Sequence, residues 1–269
     1  LGLVHFLDPY RPRRSPVHHL DARVKLVLAL AFILSCALTP NGAWPIYLLM
    51  LALTLSAALL SELGIGFVLK RAALALPFVL AALPLVFTAS DERLLSIPLG
   101  SLTIGISAPG LVRFLSIALK SWISVQAAIL LASTTQFPDL LTAMRAIRIP
   151  RLLVAIFGLM WRYLFVLVDE VLRLTRARAA RSGHSERTGV RPGGSWTWRA
   201  RVTGGMAGNL FIRAIERSDR IYMAMLSRGY DGEVRSTPLP TLGAVHWVIL
   251  SAGLAFLLLL QIFSRLLWN

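Results

Sequence analysis

Five stretches of this chain read as membrane crossings, and that one feature removes almost every soluble fold from consideration. They cover residues 24–38, 44–60, 67–88, 111–132 and 245–263. A hydrocarbon core about 30 Å thick needs roughly 20 helical residues to cross it. The first run is short for a full crossing and needs tilt or help from its flanks. Composition agrees: 56% of residues are hydrophobic and 15% are charged, where a soluble domain carries about 25% charged residues. The expected fold is all-α, a polytopic membrane protein of about five transmembrane helices plus a cytoplasmic helical coupling region.

The runs are punctuated. Thr39-Pro40-Asn41-Gly42 is a compact turn signal that makes the first two runs a helical hairpin. Pro77 and Pro84 interrupt the third run, where proline removes a hydrogen bond and kinks a helix. Residues 89–110 read as a loop rich in Gly, Ser and Pro. After residue 132 the character changes, and residues 137–244 hold 17 arginines against 8 acidic residues. A short helix is expected over 137–147, between Pro138 and Pro150. A long one, apolar early and amphipathic late, is expected over 152–181, with Asp169 and Arg173 as an i,i+4 pair. Residues 183–203 read as a connector whose Trp196 and Trp198 suit interfacial anchoring. A further helix over 206–228 carries an apolar stripe of Leu210, Phe211, Ala214, Ile215, Ile221, Tyr222, Met225 and Leu226. Gly229 is its expected terminator. The expected organisation is a lead over 1–23, four crossings within 24–132, coupling helices within 133–244 and a last crossing within 245–269.

Charge orients this arrangement. The net charge is +15, and basic loops stay on the cytoplasmic side. Arg11, Arg13, Arg14, Arg23 and Lys25 hold the N-terminus inside, and the arginine-rich segment follows it there if residues 152–168 lie at the interface rather than cross. The expected location is the cell inner (cytoplasmic) membrane, multi-pass, in contact with anionic lipid. No recognition motif accompanies the charge, so nucleic acid is not an expected partner. The single cysteine, Cys36, lies inside an apolar run and packs as a small hydrophobe. The first 23 residues lack the apolar core of a cleavable signal peptide.

The chemistry of the chain is narrow. No carboxylate lies deep in any expected crossing, and neither HExxH nor a P-loop is present. His18-His19 is the one histidine pair, while His5, His184 and His246 are isolated, so no metal-ligand cluster is expected. No catalytic residue and no cofactor bound by this chain is expected. What stands out are two short motifs, Ala180-Arg181-Ser182 and Ser227-Arg228-Gly229, each closing an expected helix. A cation at a helix C-terminus complements the dipole. The small neighbours on both sides do more: they let a partner surface approach while the guanidinium enters a groove, where its fork can pair with carboxylates or carbonyls. Two such plugs suggest two soluble partners.

Leu20-Asp21-Ala22-Arg23-Val24-Lys25-Leu26, the two arginine motifs, and the extension of the second through Tyr230-Asp231-Gly232 together resemble the transmembrane T component of energy-coupling factor transporters, in its cobalt-uptake (CbiQ-like) branch. Ala22 stands where that family usually has proline, and Ser182 and Ser227 replace its glycine and alanine. The resemblance implies an energy-coupling subunit of an ABC-type importer that is not itself an enzyme. It would link two ATPase subunits, which hold ATP and Mg, to a substrate-binding membrane subunit, which holds the cobalt; it leaves room for a small accessory membrane subunit. Ala180, Arg181, Ser182, Ser227, Arg228 and Gly229 would then dock the ATPases. The 210–226 stripe, with Leu210, Phe211, Ala214, Ile215, Ile221, Tyr222 and Met225, would slide against the substrate-binding subunit or pack on the 152–181 helix. Three alternatives remain open at this point: a nickel version of the same role, an importer permease that pairs with itself, and a membrane enzyme acting on lipid or isoprenoid phosphates, with Asp169, Glu170, Asp231 and Glu233 as candidate acids or bases.

Overall fold

The structure is a computed structural model that describes residues 9–84, 93–99, 102–181, 195–231 and 241–268. It divides into two compact units, Leu1–Ile147 with Leu239–Asn269, and Arg148–Pro238.

In the first unit the described part of the polar lead, from Pro9, is folded. Ser15 caps a short helix α1 (Pro16–His19), with proline in its first turn and the Ser15 hydroxyl accepting from the His18 N–H. Asp21 caps α2 (Ala22–Leu38), its carboxylate accepting from the Arg23 N–H at 2.9 Å. The turn at residues 39–42 forms as expected, with Gly42 at φ +87°, and leads into α3 (Trp44–Leu60). α2 and α3 each have 17 residues, about 25 Å of helix at 1.5 Å per residue.

The third apolar run is not one kinked helix. It begins as α4 (Ile65–Ala72), passes through a 3₁₀ turn at Ala73–Ala75, a single α turn α5 (Leu76–Val79) and a second 3₁₀ turn at Leu80–Ala82. Pro77 has no N–H to give the Ala73 carbonyl, so the α ladder tightens just before it. Pro84 and the end of the run approach residues 85–92, which lie outside the described residues. The expected 89–110 loop is also revised. Strands β1 (Arg93–Leu99) and β2 (Leu102–Ser107) pair antiparallel, with Ile97 opposite Ile104 and Leu99 opposite Leu102.

α6 (Ala108–Thr134), α7 (Phe137–Ala146) and α10 (Ala244–Trp268) complete the unit; α8 (Arg151–Arg181) and α9 (Trp196–Leu226) belong to the other one. α2 packs on α6, α7 and α10, while α3 and α4 pack on α6. The core gathers Cys36, Ala43, Ile46, Tyr47, Met50 and Ile123, so Cys36 packs among apolar side chains as expected. One buried polar link crosses the bundle, from the Thr54 hydroxyl to Gln126 Oε1 at 3.4 Å. α10 presses close to α2, where a Cβ at Gly253 would lie 2.6 Å from Leu28 Cδ2. Its outward leucines, including Leu258 and Leu259, are exposed, as lipid-facing side chains are.

Lys25, from the motif at the start of α2, has a structural role. Its ammonium donates to the Thr134 carbonyl at 2.9 Å, at the C-terminal end of α6, where orphan carbonyls and the helix dipole favour a cation. The Arg11 N–H donates to the neighbouring Ser133 carbonyl at 3.0 Å. The lead is thereby tied to the end of α6.

The second unit consists of α8 (Arg151–Arg181) and α9 (Trp196–Leu226). α9 begins ten residues earlier than the expected helix at 206. Ser195 caps it, its hydroxyl accepting from the Trp198 N–H; Gly204, Gly205 and Gly208 are carried inside the helix. Among the described residues three helices are long and apolar enough to cross a membrane: α6, α8 and α10. Length and composition thus permit the 152–168 stretch of α8 to cross, as well as to lie at the interface.

Candidate functional site

Both arginine motifs belong to the second unit. Contacts between its helices run in opposite order along the two chains. Arg178 Nη1 donates to Thr203 Oγ1 at 3.1 Å near the end of α8 and the start of α9. Eight residues earlier on α8, Glu170 meets Arg213 and Arg217, ten or more residues later on α9. The pair is therefore antiparallel in sense.

Glu170 is the node that fixes this pair. Its side chain retains 12% of its accessible surface, and its two oxygens accept from Arg213 Nη1 and Arg217 Nη2, each at 3.1 Å. A carboxylate engaged on both oxygens by cations is held ionised, which disfavours it as a proton donor or a base. The expected Asp169–Arg173 ion pair does not form among the described residues. Arg173 Nε instead donates to the Asp169 backbone carbonyl at 3.4 Å. Glu233 lies outside the described residues, while Asp231 is the last described residue of its segment.

Each arginine of the motifs stands well beyond the node. Arg181 is eleven residues past Glu170 and Arg228 eleven past Arg217, about 16 Å along each helix. Because the helices are antiparallel, the two guanidinium groups lie on opposite sides of the node. Both are exposed, as are Ala180, Ser227 and Gly229, and no hydrogen bond or ion pair joins the side chain of Arg181 or Arg228 to another described residue. Ser182, the last member of the first motif, lies outside the described residues.

The end of α9 is built to present Arg228. The Gly229 N–H donates to the Leu226 carbonyl and the Tyr230 N–H to the Met225 carbonyl, each at 3.0 Å, and Gly229 has φ +78°. This is a Schellman turn, the terminator expected at Gly229. Arg228 sits one residue before the left-handed position, fixed by the last carbonyls of the helix. The Ser227 hydroxyl folds back to the Ala224 carbonyl at 3.0 Å, which leaves the approach to Arg228 uncluttered.

The apolar stripe divides into two. Leu210, Ala214, Ile221 and Met225 are half-buried, in line with Val202, Met206 and Arg217; this row recurs every three or four residues and carries the Arg217 contact to α8. Phe211, Ile215, Tyr222 and Leu226 are exposed. Sequence reasoning identified the stripe but not its split, because both rows are apolar and only the Glu170 node shows which one turns inward. Arg217 would have signalled the node: it is a charged residue on a row otherwise apolar.

A groove of about 460 Å³ opens between the end of α8 and the start of α9, lined by Arg178, Arg181, Trp198, Asn209 and Arg213 among others. Among the described residues no group of three or more His, Cys, Asp or Glu side chains is placed to hold a metal ion.

Comparison with known proteins bears on this arrangement. A family model described as "Cobalt transport protein", CbiQ, matches residues 13–239. The chain is 30% identical over 155 residues to the cobalt transport protein CbiQ of Rhodobacter capsulatus, covering 58% of this chain and 60% of that one. It is 27% identical over 233 residues to the energy-coupling factor transporter transmembrane protein EcfT of Listeria innocua, covering 84% of each. It is 26% identical over 256 residues to a putative fused cobalt transport protein CbiMQ of Methanocorpusculum labreanum, covering 89% of this chain and 40% of the fused one.

Proposed function

The chain belongs to the CbiQ family of cobalt transport proteins, and on that premise we propose that it is the energy-coupling subunit of a cobalt importer, docking one ATPase at Arg181 and another at Arg228. The coarser statement, a membrane component of a transporter of the cobalt and energy-coupling-factor class, follows from the family itself. The docking assignment rests on one observation above the rest: two exposed arginines with small neighbours, on opposite sides of a single ionic node.

In this reading the ATPases close on ATP and move the ends of α8 and α9. The Glu170 node keeps the helices together while they move. The exposed row of Phe211, Ile215 and Tyr222 faces the substrate-binding membrane subunit, against which apolar contacts exchange at similar energy, and the inward row of Leu210, Ala214, Ile221 and Met225 holds α9 on α8. Cobalt is cargo captured by that other subunit, and ATP and Mg reside in the ATPases. The N-terminal lead and the α8–α9 unit then lie on the cytoplasmic face of the inner membrane, where their positive charge is retained. The putative fused cobalt transport protein CbiMQ supports close association with a second transport component.

Replacing Arg181 and Arg228 together with alanine should release the ATPases while the protein still inserts in the membrane. Truncating a desolvated interface arginine costs about 2 kcal/mol or more, so the double variant should lose co-purification almost completely and each single variant only in part. Wild-type recovery of both ATPases by the double variant overturns the docking assignment. Uptake of radioactive cobalt or nickel by the reconstituted complex distinguishes the two cargoes.

A further inference from the structure

We propose that the groove between the end of α8 and the start of α9 seats the phosphate of an anionic phospholipid headgroup. Three guanidinium-bearing residues, Arg178, Arg181 and Arg213, line it, with no carboxylate among the described lining residues; Arg213 gives Nη1 to Glu170, which is not among them, and keeps Nη2 for a ligand. Two are already positioned. Arg178 donates to Thr203 and holds its guanidinium 6.0 Å from the centre of the Trp198 ring, and Arg213 Nε donates to Asn209 Oδ1 at 3.1 Å. Since that oxygen accepts from Arg213, the amide nitrogen of Asn209 remains as a further donor. A phosphate diester offers the acceptor oxygens that such a fork-bearing cluster matches.

The source of the phosphate is argued from what surrounds the groove. Trp196 is 82% exposed and Trp198 44% exposed at the first turn of α9, and exposed indole rings beside cations favour the headgroup layer of a bilayer. Between Glu170 and Glu216 the sequence carries nine arginines and one acid, Glu186. A segment of that charge is drawn to an anionic leaflet and has the bilayer permanently within reach. Arg181 serves both this groove and the proposed ATPase contact, so an occupied headgroup site sets the position from which that arginine engages.

The test uses the full chain in nanodiscs of phosphatidylcholine alone or with one third phosphatidylglycerol. Phenylglyoxal modification of Arg178, read by peptide mass, should slow several-fold in the phosphatidylglycerol discs. Native mass spectrometry of the detergent-solubilised chain should show a phosphatidylglycerol retained in preference to phosphatidylcholine. R178Q should weaken that retention about tenfold, the effect of one charge-assisted hydrogen bond, with R178K intermediate. Equal modification rates in the two discs, or an unchanged preference in R178Q, overturn the proposal. So does displacement by millimolar inorganic phosphate, which makes the site one for free phosphate, or protection of Arg178 by the ATPases without anionic lipid, which makes the groove a protein interface.

Discussion

If the Schellman turn at Gly229 is what presents Arg228, a substitution that leaves the arginine untouched should still weaken ATPase binding. Gly229 has φ +78°, and a Cβ there would meet nothing within 4 Å. Gly229→Ala therefore introduces no clash, and its cost is conformational, about 1–2 kcal/mol for an L-residue held left-handed. The chain can escape that cost by giving up the two 3.0 Å bonds from Gly229 and Tyr230 to the Leu226 and Met225 carbonyls. Either way, the geometry that positions Arg228 becomes less populated, and affinity at this end should fall about 5- to 30-fold. Gly229→Asn should recover most of the loss, because asparagine visits this region more readily. The assay is a titration of the purified chain with its ATPase, with amide hydrogen exchange at Gly229 and Tyr230 as a local readout. Faster exchange with unchanged affinity would refute the link between cap and docking. Unchanged exchange would refute the conformational argument itself.

Three further outcomes test the fold around the site. Lys25→Met keeps the aliphatic stem but removes the donor from the Thr134 carbonyl; a hydrogen bond to a charged group contributes about 1.5–3 kcal/mol, so thermal unfolding in detergent should begin at a clearly lower temperature. At Gly253 the obstacle to a Cβ is the tip of Leu28, which can swing to another rotamer, so Gly253→Ala should be tolerated within about 1 kcal/mol, whereas Gly253→Leu overpacks the α2–α10 contact by about 1–3 kcal/mol on the same unfolding measurement. The third concerns pH. His18 Nε2 lies 3.0 Å from the Arg11 carbonyl, to which it must donate, and Nδ1 lies 2.7 Å from the Ser15 hydroxyl, from which the neutral ring accepts. Desolvation pushes its pKa below the ordinary 6.5, and Lys25 and His19 add to this, against the Arg11 carbonyl and Glu62. The unfolded segment thus binds the proton more readily, so the tie of the lead is complete above about pH 6.5 and weakens as the pH falls below it. Amide exchange over residues 11–19, corrected for intrinsic rates, should accelerate on acidification in the wild type and lose that pH dependence in His18→Gln.

Much of the site was legible before any coordinates. Gly229 announced its turn because only glycine takes φ +78° cheaply, a property of one residue and its neighbours. The first two helices and the turn between them followed from local patterning. Patterning misled where local signals conflicted with the neighbourhood. Gly, Ser and Arg content suggested a connector over 183–203, yet Ser195 caps a helix that takes in its last eight residues. The 89–110 stretch held strand-forming Leu and Ile positions, but its Gly, Ser and Pro content read as loop. Pro77 signalled a kink, and the structure breaks the helix instead, because α and 3₁₀ turns alternate around the missing donor.

The linear chain determined that this is a membrane protein, where most helices run, and which two arginines end them, since hydropathy, helix propensity and caps act over a few residues. Tertiary structure decided the rest: that Glu170 clasps two arginines more than forty positions away, that the apolar row splits into an inner and an outer face, and that Lys25 closes the end of α6. Those contacts depend on how helices meet in space, and no local period encodes the rotation of one helix against another.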